Sequence, residues 1–324
     1  MSPAMQRFFA NRTGKIGLGI VGFFVLLAIL APVLANDAPI VLVRNGEWFF
    51  PAIFDHDEFA NVDWQVWLEK EPYDSALMPP VPFSPVRVRL DEALLPPGEK
   101  GHLLGTDNLG YDILARIIHG SRIALSVGIV AMGIAALIGL VLGSLAGYFG
   151  GSVDILISRL IEIVICFPLL FLILTVLAFL PPSIYNIMIV IGITSWTGIA
   201  RLVRGEILKV REMDYVKAAR AAGYPDRRII SHHVLPNALA PVLVSISFGI
   251  AGSILTETAL SFLGFGVQPP DPSWGQILSL AREYPSRIWF TIFPGLAIFL
   301  TVTGYNMIGE ALRDALDPRL ARRE

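Results

Sequence analysis

The residues that could do chemistry are few and poorly grouped for it. His232 and His233 are the nearest approach to a metal pair, but adjacent side chains diverge on a helix and do not converge on one ion. Gly14-Lys15 lacks the preceding glycine and the following Ser or Thr of a phosphate-cradling loop. No nucleophile sits beside a base in any recognisable spacing. Cys166 is the only cysteine and lies in an apolar run, so no intrachain disulfide forms and the thiol reads as buried and inert. Charge inside apolar runs is the remaining signal, because such residues are costly in lipid and mark function by default. Glu257 is the deepest of them and lies towards one end of its run, where an interfacial partner could satisfy it. It is a candidate for a solute pathway, with a structural anchor as the alternative. Arg159 and Glu162 are three apart and can pair on one helix face.

The elements that carry these residues are membrane spans. Of 324 residues, 54% are hydrophobic and only 16% charged, against about 25% charged in a soluble domain, and the mean hydropathy is positive. The net charge of -2 is too small to imply a polyionic partner, so no nucleic acid is expected. A helix needs roughly 20 apolar residues to cross a bilayer. Residues 16–35 supply the first such run, 123–153 the second, 154–180 the third, 184–200 the fourth, 238–263 the fifth and 288–308 the sixth. Arg7, Arg12, Lys15 and the Val33-Leu34-Ala35 stretch faintly resemble a signal peptide, but the apolar run exceeds the roughly 7 to 15 residues of a signal core and reads as a retained helix. Pro181-Pro182 closes the third run.

Basic residues set the orientation. Arg201, Arg204, Lys209, Arg211, Lys217, Arg220, Arg227 and Arg228 crowd the connection between the fourth and fifth spans, which should be cytoplasmic. Both termini should share that side, as Arg7, Arg12 and Lys15 at one end and Arg313, Arg319, Arg322 and Arg323 at the other suggest. The expected organisation is therefore a cytoplasmic N-terminus and first helix (1–35), an external aromatic-rich segment ending in an interfacial helix (36–122), a five-helix core (123–312) containing the cytoplasmic loop 201–236, and a cytoplasmic tail (313–324).

Within the external segment, Pro39 to Arg44, then Asn45-Gly46, then Glu47 to Phe50 predict a β-hairpin, since Asn-Gly accepts the positive φ values of a type I′ turn. The segment reads either as a docking surface or as a lid packed on the bundle. Residues 112–122 place Ile113, Leu114, Ile117 and Ile118 on one face, which suits a helix lying in the interface. In the second span Ala131, Ala135, Gly139, Gly143 and Gly147 recur every four residues, and Ser245, Gly249 and Ser253 do so in the fifth. Such stripes let helix backbones approach in lipid, for packing or for sliding during gating.

The cytoplasmic loop holds a short capped helix. Asp214 is expected to cap it, the alanines favour it, Gly223 can end it in the left-handed conformation and Pro225 forbids its continuation. A second helix is expected from Arg227 to Leu235-Pro236, where the fifth span begins. Ala218-Ala219, then three residues and Gly223, and Leu235-Pro236 resemble the signature loop of ATP-binding-cassette importer permeases, with Lys217 where that signature has glutamate and His233 where it has isoleucine. His102-Leu-Leu-Gly-Thr-Asp-Asn-Leu-Gly-Tyr-Asp112, Leu260-Ser-Phe-Leu-Gly-Phe-Gly266, Pro272-Ser-Trp-Gly275 and the tail from Arg313 to Arg319 narrow the likeness to the dipeptide, oligopeptide and nickel permease family. The resemblance is to its second, shorter subunit, and the long aromatic external segment is similar to the branch that moves microcin-like and longer peptides.

The resemblance implies an all-α, six-helix type I importer fold. It also implies a homologous second permease, two ATPase subunits and an extracytoplasmic solute-binding protein as partners. Asp214, Tyr215, Lys217, Ala218, Ala219, Arg220, Gly223, Leu235 and Pro236 would form the contact with an ATPase. No cofactor is then expected in this chain, with ATP and Mg carried by the ATPases. A secondary transporter, and a permease for an oligosaccharide, glutathione or a nickel chelate, are the alternatives.

Overall fold

The computed structural model describes residues 3–54, 56–59 and 62–316. Arg313 is therefore described, whereas Arg319, Arg322 and Arg323 of the tail lie outside the described residues. The helices are α1 (Pro3–Ala10), α2 (Arg12–Leu34), α3 (Trp64–Lys70), α4 (Ile113–Phe149), α5 (Gly151–Ile165), α6 (Leu169–Leu177), α7 (Ile184–Val210), α8 (Asp214–Ala221), α9 (Asp226–Ile229), α10 (Leu235–Phe262), α11 (Trp274–Glu283) and α12 (Trp289–Leu316). The strands are β1 (Val41–Arg44), β2 (Glu47–Phe49) and β3 (Ser75–Leu77). Five helical stretches are long and apolar enough to cross a membrane, and α5 with α6 forms a sixth if the pair is one broken span.

Three expectations are corrected. The third run is not one straight helix: α5 and α6 meet at 82°, because Pro168 at the start of α6 has no N–H to donate and biases Phe167 away from helical geometry. The interfacial helix expected at residues 112–122 does not exist as a separate element. It is the first part of the 37-residue α4, a rod of about 55 Å, since nothing in this stretch interrupts the ladder. Cys166 is exposed at the surface of the chain, at the α5–α6 break, rather than buried.

The second helix of the loop also runs straight into its span, with α9 passing through a π turn (Ile230–Val234) into α10. Pro236 cannot donate to the carbonyl four residues back, and the wider turn, with the Leu235 N–H on the Ile230 carbonyl, takes up that irregularity.

The chain packs as two compact units. One comprises the described parts of Met1–Val21, Val127–Thr256 and Leu300–Glu324. Its core joins Ala135 and Ala146 of α4, Ile199, Val203 and Ile207 of α7, Val216 and Ala219 of α8, Ile229 of α9 and Ala238 of α10. The other comprises the described parts of Gly22–Ser126 and Glu257–Phe299. It carries a sheet in the order β2-β1-β3. The expected hairpin is present, with Leu42 opposite Phe49 and Arg44 opposite Glu47, and Asn45 and Gly46 take φ values of 53° and 80°. Leu42, Phe59 and Trp64 fill its core, with the Phe59 and Trp64 ring centroids 5.1 Å apart.

Candidate functional site

The connection from α7 to α10 presents α8 as a two-faced helix. Val216 and Ala219, three apart, are buried against the core, while Tyr215, Lys217, Ala218 and Arg220 are exposed. Of the paired alanines in the signature, one therefore faces out and the other in. The cap expected of Asp214 is not made: Met213 takes the capping position without a side-chain bond, and Asp214 stands in the first turn, where its charge suits the positive end of the helix dipole. The stop works as expected. Gly223 adopts φ 77°, its N–H donates to the Arg220 carbonyl at 3.0 Å, and the Tyr224 N–H donates to the Ala219 carbonyl at 3.2 Å. Those two bonds are a Schellman closure. Beyond it the Tyr224 ring stacks on His233, with centroids 6.2 Å apart and planes at 9°. Leu235 and Pro236 do not join the exposed face of α8. They open α10, Leu235 half-buried and Pro236 exposed.

Sequence reasoning missed the residues that tie this loop to α4. The Tyr148 hydroxyl donates to Asp226 Oδ1 at 2.5 Å, and the Arg220 guanidinium lies 5.4 Å from the Tyr148 ring centroid. Arg211 Nη1 donates to the carbonyls of Gly147 at 2.9 Å and Tyr148 at 3.3 Å. The signal in the sequence was a tyrosine and an aspartate at the ends of apolar runs, with nothing local to connect them. Nearby, Arg204 Nη2 donates to Asp154 Oδ2 at 2.7 Å, joining α7 to α5. Arg159 and Glu162 do pair, at 2.6 Å, on the exposed side of α5.

The small-residue stripes lie in tight helix contacts. A Cβ on Gly139 would come within 2.7 Å of Ile199, and one on Gly147 within 2.9 Å of the Arg204 carbonyl oxygen. Ala135 is fully buried in the same packing. On α10, Gly249 lies against the Met132 side chain, Ser253 is buried and Ser245 half-buried.

Glu257 is 1% exposed. Its Oε1 accepts from Ser261 Oγ at 2.6 Å and from Ser273 Oγ at 2.8 Å, and Ser273 in turn caps α11. These bonds are those of an anchor between the end of α10 and the start of α11. The quoted motifs assemble around the same place. Asp107 Oδ1 accepts from the Leu109 and Tyr111 N–H groups at 2.8 and 3.0 Å, and burial holds its carboxyl above the ordinary carboxylate range. Arg116 Nη2 donates to Gln276 Oε1 at 2.9 Å, and Trp274 Nε1 donates to the Ile117 carbonyl at 2.9 Å. Asp107, Arg116 and Gln276 border a cavity of about 250 Å³. His102 Nδ1 lies 2.8 Å from Asp112 Oδ2 and its ring stacks on Phe83 at 3.9 Å.

These features define a multi-pass α-helical membrane protein that holds a short, small-residue helix outside its spans. Residues 139–322 match the family described as binding-protein-dependent transport system inner membrane component, and residues 2–45 match the N-terminal TM domain of oligopeptide transport permease C. The chain belongs to this family of inner-membrane transport permeases. It is 45% identical over 220 residues to the dipeptide transport system permease protein DppC of Alkalihalophilus pseudofirmus, covering 68% of this chain and 72% of that one. It is 35% identical to the oligopeptide transport system permease protein OppC of Haemophilus influenzae, covering 98% and 88% of the two chains. Against the inner membrane ABC transporter permease protein YejE of Escherichia coli the identity is 33%, with 99% of each chain covered.

Proposed function

We propose that this chain is one permease half of an ATP-driven importer that brings peptide-like solutes into the cytoplasm. In this reading the α7–α10 connection and both termini are cytoplasmic, and the segment of residues 36–111 faces outward. A homologous permease completes the pathway, an external binding protein delivers the solute, and two ATPases carry ATP and Mg. The observation that carries the proposal is α8: Val216 and Ala219 fix one face in the core, and Ala218, flanked by Tyr215 and Lys217, stands on the exposed side. Small alanine methyls on a short rigid helix suit a shallow groove on a partner, and the flanking charged and aromatic groups limit how it seats. Closure of the ATPase pair would then move α8 and switch the bundle between inward-open and outward-open states. Peptide relatives at these identities favour a peptide-like solute over an oligosaccharide or a nickel chelate.

Reconstitution in sealed vesicles tests the reading. The four-subunit complex with its binding protein should take up labelled oligopeptides only when ATP is supplied on the α8 side. Uptake by this chain alone, driven by an ion gradient, would establish a secondary transporter instead.

A further inference from the structure

We propose that Tyr148 is a positioning residue that couples α8 directly to the glycine-lined end of α4, an inference that rests on α8 being the ATPase contact. The chain links α8 covalently only to α7 on one side and, through α9, to α10 on the other, so any other route for its movement must pass through side chains. Tyr148 occupies the last turn of α4, one residue beyond Gly147, and is 5% exposed. It gathers the ends of three helices. Asp226, in the first turn of α9, accepts its hydroxyl proton at 2.5 Å, a length typical of a charge-assisted O–H···O⁻ bond. Arg220, in the last turn of α8, stacks its guanidinium over the ring. Arg211, just past the end of α7, caps the Gly147 and Tyr148 carbonyls, which no longer have partners within the helix.

A push on α8 or α9 therefore reaches α4 at the point where Gly147 brings that helix against α7. Simple space-filling by an aromatic ring explains the burial. It does not explain why a hydroxyl, a carboxylate and two guanidinium groups from separate elements meet on this one residue. The Tyr148 hydroxyl, bonded to Asp226 and in polar contact with Arg220, is the part of the cluster that links the connection to α4 directionally, so its removal separates transmission from packing.

Tyr148→Phe keeps the ring, its burial and the stacking of Arg220 over it, and removes the hydroxyl with its bond to Asp226 and its polar contact with Arg220. In the reconstituted complex, ATP hydrolysis should stay within about twofold of the parent, while solute taken up per ATP falls by about tenfold, the factor carried by one charge-assisted hydrogen bond. Asp226→Ala should give a similar loss, and the double variant should be no worse than either single one, since both delete the same bond. Additive losses, or parental uptake per ATP in Tyr148→Phe, would overturn the inference. A parallel arm uses Lys217→Cys in a Cys166→Ser background and measures cross-linking to the partner ATPase. Cross-linking with normal uptake per ATP in Tyr148→Phe removes only the role of Tyr148. A parent that fails to cross-link removes the reading of α8 and this inference together.

Discussion

Gly143 of α4 and Ala200 of α7 approach so closely that a Cβ on the glycine would lie 2.6 Å from the alanine carbonyl oxygen. Backbone atoms cannot move aside as a flexible side chain can, so Gly143→Val must part the two helices. The expected cost is roughly 1–3 kcal/mol, visible as a lower midpoint for thermal unfolding in detergent. Gly198→Val is the matched control, because no described neighbour lies within 4 Å of a Cβ at that position, and it should shift stability by less than about 0.5 kcal/mol. Equal behaviour of the two variants would mean that the stripe does not set the helix spacing.

Glu257 offers a contrast between anchor and pathway. Glu257→Leu leaves the Ser261 and Ser273 hydroxyls without their shared acceptor and should destabilise the protein by about 1–3 kcal/mol, with faster proteolysis between α10 and α11. Glu257→Gln keeps an acceptor oxygen and should be milder. Loss of uptake in Glu257→Gln with unchanged unfolding would instead make the residue part of the solute route.

Stability of the unit containing His102 should depend on pH. Burial pulls the His102 pKa down, but hydrogen bonds and charges from Asp112 and Glu92 outweigh it, leaving the imidazole above its ordinary 6.5. A histidine raised on folding stabilises the protonated form. Its contribution is complete below about pH 6.5 and is lost as pH climbs through the raised value. Hydrogen-exchange protection factors around residues 92–112, taken against the intrinsic rate at each pH, should therefore fall on alkalinisation through that window, and His102→Gln should flatten the profile. A histidine C2 proton titrating at or below 6.5 in the folded protein would contradict this.

Gly223→Pro should insert into the membrane normally, because the site lies outside the spans, yet it should uncouple ATP hydrolysis from uptake. Proline is locked near a φ of −65°, whereas the Schellman closure holds this position at 77°. Wild-type uptake in that variant would remove the loop from the mechanism.

What was legible in the sequence was local. Asn45-Gly46 announced its turn and Gly223 its helix stop, because each is set by the φ values a few residues can adopt. The Arg159–Glu162 pair was equally readable, being a matter of helix spacing. The third strand was not, since Ser75–Leu77 joins the sheet only through pairing with β1 some thirty residues earlier, and nothing in its own three residues demands it. The bend before Pro168 was misread because apolar composition continues across it, and hydropathy carries no information about direction. One apolar face over residues 112–122 cannot distinguish a separate interfacial helix from the first turns of a longer one. Tyr148 escaped for a related reason: its partner Asp226 is 78 positions away, and only the packing of α4 against the loop brings them together.

The π turn has one further effect, on rotational phase. Ile229 and Val234 are both fully buried, yet five positions of a regular α-helix would point them about 140° apart. Winding those residues more loosely swings Val234 back towards the side of Ile229, and Ala238 and Val242, also fully buried, follow at intervals of four. The extra residue thus acts as a vernier, which lets the water-facing start of this helix and its lipid-crossing remainder be set in register with the same seam.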